Sequence, residues 1–74
     1  MHTINLSANQ TLLITNHGDE ILYVDNVPVA GYKFGLGHFK NRQTNDGADY
    51  LEGIDDVLLM MPEEIESMWR NSDE

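Results

Sequence analysis

Hydrophobic and polar residues alternate through the first part of the chain as they do in half-buried strands. Residues 2–7 place two aliphatic side chains on one face and polar side chains on the other, and residues 11–15 place Leu12 and Ile14 inward, with Leu13 between two threonines on the outer face. Turn-forming residues follow each of these stretches. The alternation therefore predicts two strands of an antiparallel sheet at the start of the chain.

The stretch from Asp19 to Tyr32 has the clearest hairpin pattern. Two apolar runs flank Asp25 and Asn26, and both residue types tolerate the left-handed backbone of a tight turn. A two-residue turn at this point fixes which residues of the two strands lie opposite each other. The predicted cross-strand pairs are Val24 with Val27 and Leu22 with Val29.

The proline in the second strand of this hairpin restricts where that strand can lie. Pro28 has no N–H group to donate to a neighbouring strand, so its strand is predicted at an edge of the sheet. Residues 34–47 are less regular, and we expect a loop or a partly extended segment there. Residues 1–33 are thus predicted to form an antiparallel meander of about four strands.

The C-terminal stretch has the period of a helix. At about 100° per residue, its apolar residues fall within an arc of roughly 120°. Pro62 interrupts this pattern, and a proline fits best as the first residue of a new helix, where Glu63 and Glu64 complement the helix dipole. The pattern predicts two helices, about 48–60 and 62–71. The apolar residues in the arc are Tyr50, Leu51, Ile54, Val57, Leu58, Met61, Ile65, Met68 and Trp69.

The run from Val57 to Met61 allows a second interpretation. Five consecutive apolar residues are ambiguous by period alone, so the run is also compatible with a buried strand. In either case the pattern indicates a single α+β domain, residues 1–74. A small antiparallel meander of about four strands would pack against one or two C-terminal helices, which form an acidic helical region at 48–71.

Charge is distributed unevenly along the chain, whose formal net charge is −9 at pH 7. Residues 1–42 contain three acidic and three basic residues, whereas residues 43–74 contain ten acidic residues and one basic residue. A surface this acidic repels nucleic acids and anionic membranes and attracts basic proteins. Acidity of this kind is also typical of proteins in which it serves solubility alone.

Cysteine usage and hydropathy bear on the compartment. The chain has no cysteine, which excludes disulfides and cysteine-based metal sites. Its start lacks the features of a signal peptide, and its longest apolar run is too short to span a bilayer. We therefore expect a cytoplasmic protein that does not enter a membrane.

No pattern of catalytic or metal-binding residues is found. The three histidines lie in different segments, and none of the serines lies in a Gly-x-Ser-x-Gly motif. Residues 41–52 resemble a calcium loop in composition, but no register places both the glycine and the ligands correctly. We expect neither an enzyme nor a protein that holds a cofactor or a metal.

Residues 32–42 combine aromatic and basic side chains. Tyr32, Phe34 and Phe39 alternate with three of the four cationic residues, which are the ingredients of a single-stranded nucleic-acid platform. The net negative charge opposes any polyanion partner. The pattern is therefore more typical of aromatics that close a core and bases that pair with acidic helices.

On the predicted helices, the acidic residues lie opposite the apolar arc and form a row of carboxylates. Leu59 and Met60 lie beside that row, and apolar residues among charges are typical of interface hot spots. The same pattern is equally typical of a solvated helix face. The predicted partner-binding residues are Asp49, Glu52, Asp55, Asp56, Leu59, Met60, Glu63 and Glu66.

These features favour a small protein-binding inhibitor that occupies a basic, nucleic-acid-binding surface of a target protein and does not itself bind nucleic acid. In size, acidity and lack of catalytic motifs, the chain resembles phage proteins that antagonise host defence, including anti-CRISPR and anti-restriction proteins. This resemblance includes no sequence motif.

The alternative is a structural or regulatory module that self-associates. Both faces of the strand Ile21–Val24 are apolar, and one layer of helices covers only one side of a sheet. A homodimer would bury the second face.

Overall fold

The Asp25-Asn26 turn forms as the sequence predicts, and the sheet extends from it in both directions. In the computed structural model, which describes residues 2–72, Asp25 and Asn26 have positive φ angles of 54° and 66°. These are the values of a type I′ turn, whose twist matches that of the two strands it joins. Val24 pairs with Val27, as predicted.

Six strands form one sheet in which spatial order follows chain order. The first five strands pair antiparallel, and the sixth pairs parallel to the fifth. The elements are β1 (His2–Asn5), β2 (Gln10–Ile14), β3 (Glu20–Val24), β4 (Val27–Lys33), β5 (Gly37–Asn41), β6 (Val57–Met60) and α1 (Pro62–Ser72). The predicted antiparallel meander followed by a C-terminal helix is therefore compatible with the structure, but the sheet is larger than predicted. Strand β5 lies in the segment expected to be a loop or partly extended.

The prediction of a helix at residues 48–60 is wrong. Residues 46–53 form successive turns, and Val57–Met60 form strand β6. The alternative interpretation of this run as a strand is confirmed, but the strand is not buried, because Leu58 and Leu59 are exposed. Gly53 has a φ angle of 82°, a left-handed conformation that stops the helical turns from continuing. Pairing with β5 then satisfies those backbone groups of the apolar run that point toward β5.

Pro28 does not lie in an edge strand, which corrects the prediction. Strand β4 lies between β3 and β5, and its pairing with β5 starts only at Ala30. The missing N–H of Pro28 therefore removes no hydrogen bond from that ladder. A β-bulge beside it shifts the register, so that Leu22 lies opposite Ala30 instead of Val29.

The central strands of the sheet are covered on both faces, whereas β1 is exposed at all four of its positions. On the helix face, α1 packs over a buried cluster formed by Ile21, Phe39, Met60 and Ile65. On the opposite face, residues 42–56, which we call the crossover segment, cover a second cluster. That cluster comprises Leu22, Val24, Val29, Ala30 and Leu51. We call this side of the sheet the crossover face.

Gly47 allows the crossover segment to approach the sheet closely. A Cβ atom at position 47 would lie 2.6 Å from the Ala30 Cβ and 2.9 Å from the Val29 carbonyl oxygen. Any larger residue at position 47 would therefore lift this segment away from β4. The glycine explains how a short stretch of turns can close the second face.

The predicted helix at 62–71 is confirmed as α1, Pro62–Ser72. Pro62 is its first residue, and the Glu64 carboxylate accepts a hydrogen bond from the Met61 N–H at 3.0 Å. This contact is half of a capping box and satisfies a backbone donor that the helix itself leaves unpaired. The side chain of Trp69 and residues 73–74 lie outside the described part of the chain.

Candidate functional site

The structure places the predicted partner-binding residues on three different elements and not along one helix face. Asp49, Glu52, Asp55 and Asp56 lie on the crossover segment, Leu59 and Met60 on β6, and Glu63 and Glu66 on α1. The crossover segment and α1 lie on opposite faces of the sheet. The single ridge expected from the helical pattern is therefore divided between the two faces.

The crossover segment presents an acidic surface. Its five carboxylate side chains, those of Asp46, Asp49, Glu52, Asp55 and Asp56, are all exposed. Leu51 is buried against the sheet, and Ile54 packs on the same cluster. The apolar residues thus anchor the segment while the acidic residues between them face solvent. The segment contributes five negative charges on the crossover side of the molecule.

Strand β6 combines buried and exposed apolar residues. Met60 is in the core of the helix face, so it is not available to a partner as the sequence had suggested. Leu59 is 60% exposed and Leu58 is 47% exposed. Because successive side chains of a strand alternate, Leu58 is exposed on the helix face and Leu59 on the crossover face, so the two do not form one apolar patch. Sequence reasoning missed Leu58, because on a helix it would have been part of the buried arc.

The basic side chains whose contacts are described bind partners outside the predicted acidic set. Lys33 Nζ lies 3.6 Å from the buried carboxylate of Asp19, which also accepts a hydrogen bond from the Phe34 N–H. Lys40 Nζ donates to the Asn45 side-chain oxygen at 2.6 Å. These two contacts do not neutralise the crossover carboxylates.

Residues 32–42 do not form a single platform for bases. Phe39 is fully buried in the helix-face core, whereas Phe34 is 78% exposed at the turn between β4 and β5. Tyr32 lies against His38, with 4.9 Å between the ring centroids. The expectation that these aromatics close the core is therefore confirmed for Phe39 and wrong for Phe34.

Tyr50 ties the crossover segment to the sheet. Its hydroxyl donates a hydrogen bond of 2.8 Å to the Glu20 carboxylate, and its ring lies 6.5 Å from that of His38. Burial, the hydrogen bond to Glu20 and the negative charge of Glu20 all raise the pKa of Tyr50 well above its ordinary value. This side chain stays protonated in the folded protein at pH values where a free tyrosine ionises.

This contact predicts a stability difference at alkaline pH. Because the pKa of Tyr50 is raised on folding, its contribution is complete below about pH 10 and is lost as the pH rises further. Tyr50→Phe should lower the free energy of unfolding by about 1 kcal/mol at pH 7. Above pH 10 the variant should lose stability more slowly than the wild type. One titrating proton limits the difference in slope to about 1.4 kcal/mol per pH unit, and solvent screening of this partly exposed side chain should keep it below that limit.

Urea unfolding of both proteins between pH 7 and pH 11 measures this effect. Tyr32→Phe is the matched control, since this second tyrosine lies on the same aromatic cluster. Parallel stability curves for the wild type and Tyr50→Phe above pH 10 would contradict the assignment of the contact.

Within the side chains that the structure describes, no three histidine, aspartate or glutamate residues converge as metal ligands would. The helix in residues 62–72 is too short and too polar to cross a membrane. Comparison with protein-family models, with curated proteins and with solved structures found no significant match to this chain. The function therefore has to be inferred from the chain's own residues and geometry.

Proposed function

We propose that this protein binds a partner protein through the acidic surface of its crossover segment. The observation that carries the proposal is that all five carboxylates of this segment are exposed while its apolar residues hold it to the sheet. An ordered acidic surface attracts a basic partner at long range and fixes the orientation of the encounter. A disordered acidic tail would attract such a partner without orienting it.

The partner surface that best fits these charges is a groove that otherwise holds nucleic-acid phosphates. Lysine and arginine side chains that bind phosphate bind carboxylate by the same charge-assisted hydrogen bonds. A protein carrying nine net negative charges competes with a nucleic acid for such a groove. The proposed activity is therefore inhibition by occupancy, as in the phage anti-defence proteins that this chain resembles in size and acidity.

Self-association through the second face of the sheet is less well supported. That interpretation requires an open apolar face beside Leu22 and Val24, and the crossover segment occupies this part of the face with Leu51, Tyr50 and Ile54. The geometry favours a partner of opposite charge over a second copy of the chain.

A pair of charge variants with equal net charge tests the proposal. Asp49→Asn, Glu52→Gln and Asp55→Asn together change the net charge from −9 to −6 and alter only the crossover surface. We expect capture of partner proteins at low salt to fall at least about tenfold, because each charged pair at an interface contributes on the order of 1 kcal/mol. Captured partners should also be released by added DNA or RNA.

The matched control removes three charges elsewhere. Asp25→Asn, Asp73→Asn and Glu74→Gln give the same net charge of −6 and leave the crossover segment unchanged. This control should capture the same partners as the wild type. Equal losses in both variants would mean that overall charge is responsible, and no loss in either would disprove the acidic-surface mechanism.

A further inference from the structure

Strand β6 has an edge that is open to pairing. Within residues 2–72, β6 is the last strand of the sheet and has β5 as its hydrogen-bonded neighbour on one side. The Met60 carbonyl accepts a hydrogen bond from the Arg42 N–H, so the backbone groups of Met60 point toward β5. Because these groups alternate in direction along a strand, the N–H and C=O groups of Val57 and Leu59 point to the open side.

A groove lies beside this edge on the helix face. It runs between the first turns of α1 and the turn that joins β4 to β5. Its apolar lining includes Leu36, Leu58 and Met68, and its charged lining comprises Glu63, Glu64 and Lys33, whose ammonium group pairs with Asp19. A strand added next to β6 would direct every second side chain to the helix face, beside Leu58. The edge thus offers backbone hydrogen bonds together with an apolar site for a side chain.

The charges around β6 determine which kind of strand can pair with it. Asp55 and Asp56 precede the strand, Glu63 and Glu64 follow it, and all four carboxylates are exposed. If a second copy of this chain paired antiparallel through β6, the aspartates of each copy would face the glutamates of the other. A parallel pair would place like residues together. Both arrangements bring carboxylates into contact, which is unfavourable.

We propose that β6 binds an extended segment of the partner protein as a seventh strand, with apolar residues at its centre and lysine or arginine at both ends. The basic ends would meet the carboxylates on either side of β6, and one apolar side chain would enter the groove beside Leu58. This inference rests on the proposed function and names the part of the partner that is recognised.

A proline at Leu59 tests the role of the open edge. The Leu59 N–H points away from β5, so Leu59→Pro removes a donor from the open side without breaking the β5–β6 ladder. Leu59→Thr is the matched control, since it removes the same apolar side chain and keeps the N–H. The probe is a synthetic peptide in which eight residues of alternating valine and threonine are flanked by two further lysines at each end.

Binding of the peptide is measured by fluorescence titration at low salt. We expect Leu59→Pro to weaken binding at least about tenfold and Leu59→Thr to weaken it about threefold or less. Hydrogen exchange of the wild type provides a second measurement that does not depend on the folding of a variant. The amide protons of Val57 and Leu59 should become protected when the peptide binds.

The outcomes separate this inference from the proposed function. Equal binding by the wild type and Leu59→Pro, no added protection of the two amides, or no binding of the peptide would each overturn the strand pairing. If Leu59→Pro captures partners as well as the wild type while the crossover charge variant does not, the acidic surface is the site and β6 is not. If neither affects capture, both proposals fail.

Discussion

Phe39→Ala is expected to remove most of the stability of the folded protein. The Phe39 ring is fully buried and contacts residues from the sheet and α1 on the helix face. Truncating a buried phenylalanine to alanine destabilises a protein by about 3–5 kcal/mol, because apolar burial is lost and a cavity remains. A chain of this size has a small core and little stability to spare. Urea unfolding followed by circular dichroism measures the loss.

Phe34→Ala is the control for Phe39→Ala. Phe34 is the other phenylalanine of the chain, lies five residues earlier and is 78% exposed. Its truncation should change the free energy of unfolding by about 0.5 kcal/mol or less. Similar losses in the two variants would contradict the placement of β5 with Phe39 facing α1.

Asn41→Ala is expected to have the next largest effect on stability. The Asn41 side chain is buried, donates to the Pro28 carbonyl and accepts from the Gln43 N–H, both at 2.8 Å. Alanine would leave these two backbone groups without their partner inside the protein. We expect a loss of about 2–4 kcal/mol, since an unsatisfied buried polar group costs about 1–3 kcal/mol.

Asn45→Ala is the matched control for Asn41→Ala, because it removes a nearby asparagine that is not buried. Asn45 accepts a hydrogen bond from Lys40, but that contact is exposed to solvent. Its removal should change the unfolding free energy by less than about 1 kcal/mol. If Asn41→Ala unfolds at the same urea concentration as Asn45→Ala, the buried bridge from β5 to the bulge in β4 is not formed in solution.

The parts of the fold that the sequence predicted are those with local signals. The turn at Asp25 and Asn26 is encoded by two adjacent residues that accept positive φ angles. The start of α1 is encoded by Pro62 and the glutamates that follow it. In both cases the decisive interactions lie within a few residues, so no knowledge of the rest of the chain was needed.

The predictions that were wrong concern parts of the fold that depend on contacts between residues far apart in the sequence. The run Val57–Met60 has an apolar pattern that a helix or a strand can satisfy, and its pairing with β5 decides between them. Pro28 was predicted at an edge because it has no N–H to donate, but the pairing of β4 with β5 starts only at Ala30, so an interior strand can hold it. The bulge beside Pro28 also shifts the register between β3 and β4, and no residue type in the sequence predicts this bulge.

In the candidate site, too, some features could be predicted from local sequence and others depend on contacts between distant residues. The acidity of the C-terminal half could be read from the sequence, and the exposure of the five crossover carboxylates does not depend on the helix that was predicted. Their arrangement could not be read, because the strand at Val57–Met60 separates the crossover acids from those of α1. The burial of Met60 and the exposure of Leu58 follow from the direction of side chains in a strand.

The length of the crossover segment determines the loop-closure entropy that is lost when β6 pairs parallel to β5. Two residues close the hairpin between β3 and β4, whereas 15 residues separate Asn41 from Val57. Loop-closure entropy makes the longer connection less favourable by about 2 kcal/mol. Burial of Leu51 and the close fit at Gly47 offset that entropy. The residues that hold the crossover segment to the sheet are therefore also those that keep Val57–Met60 in its register.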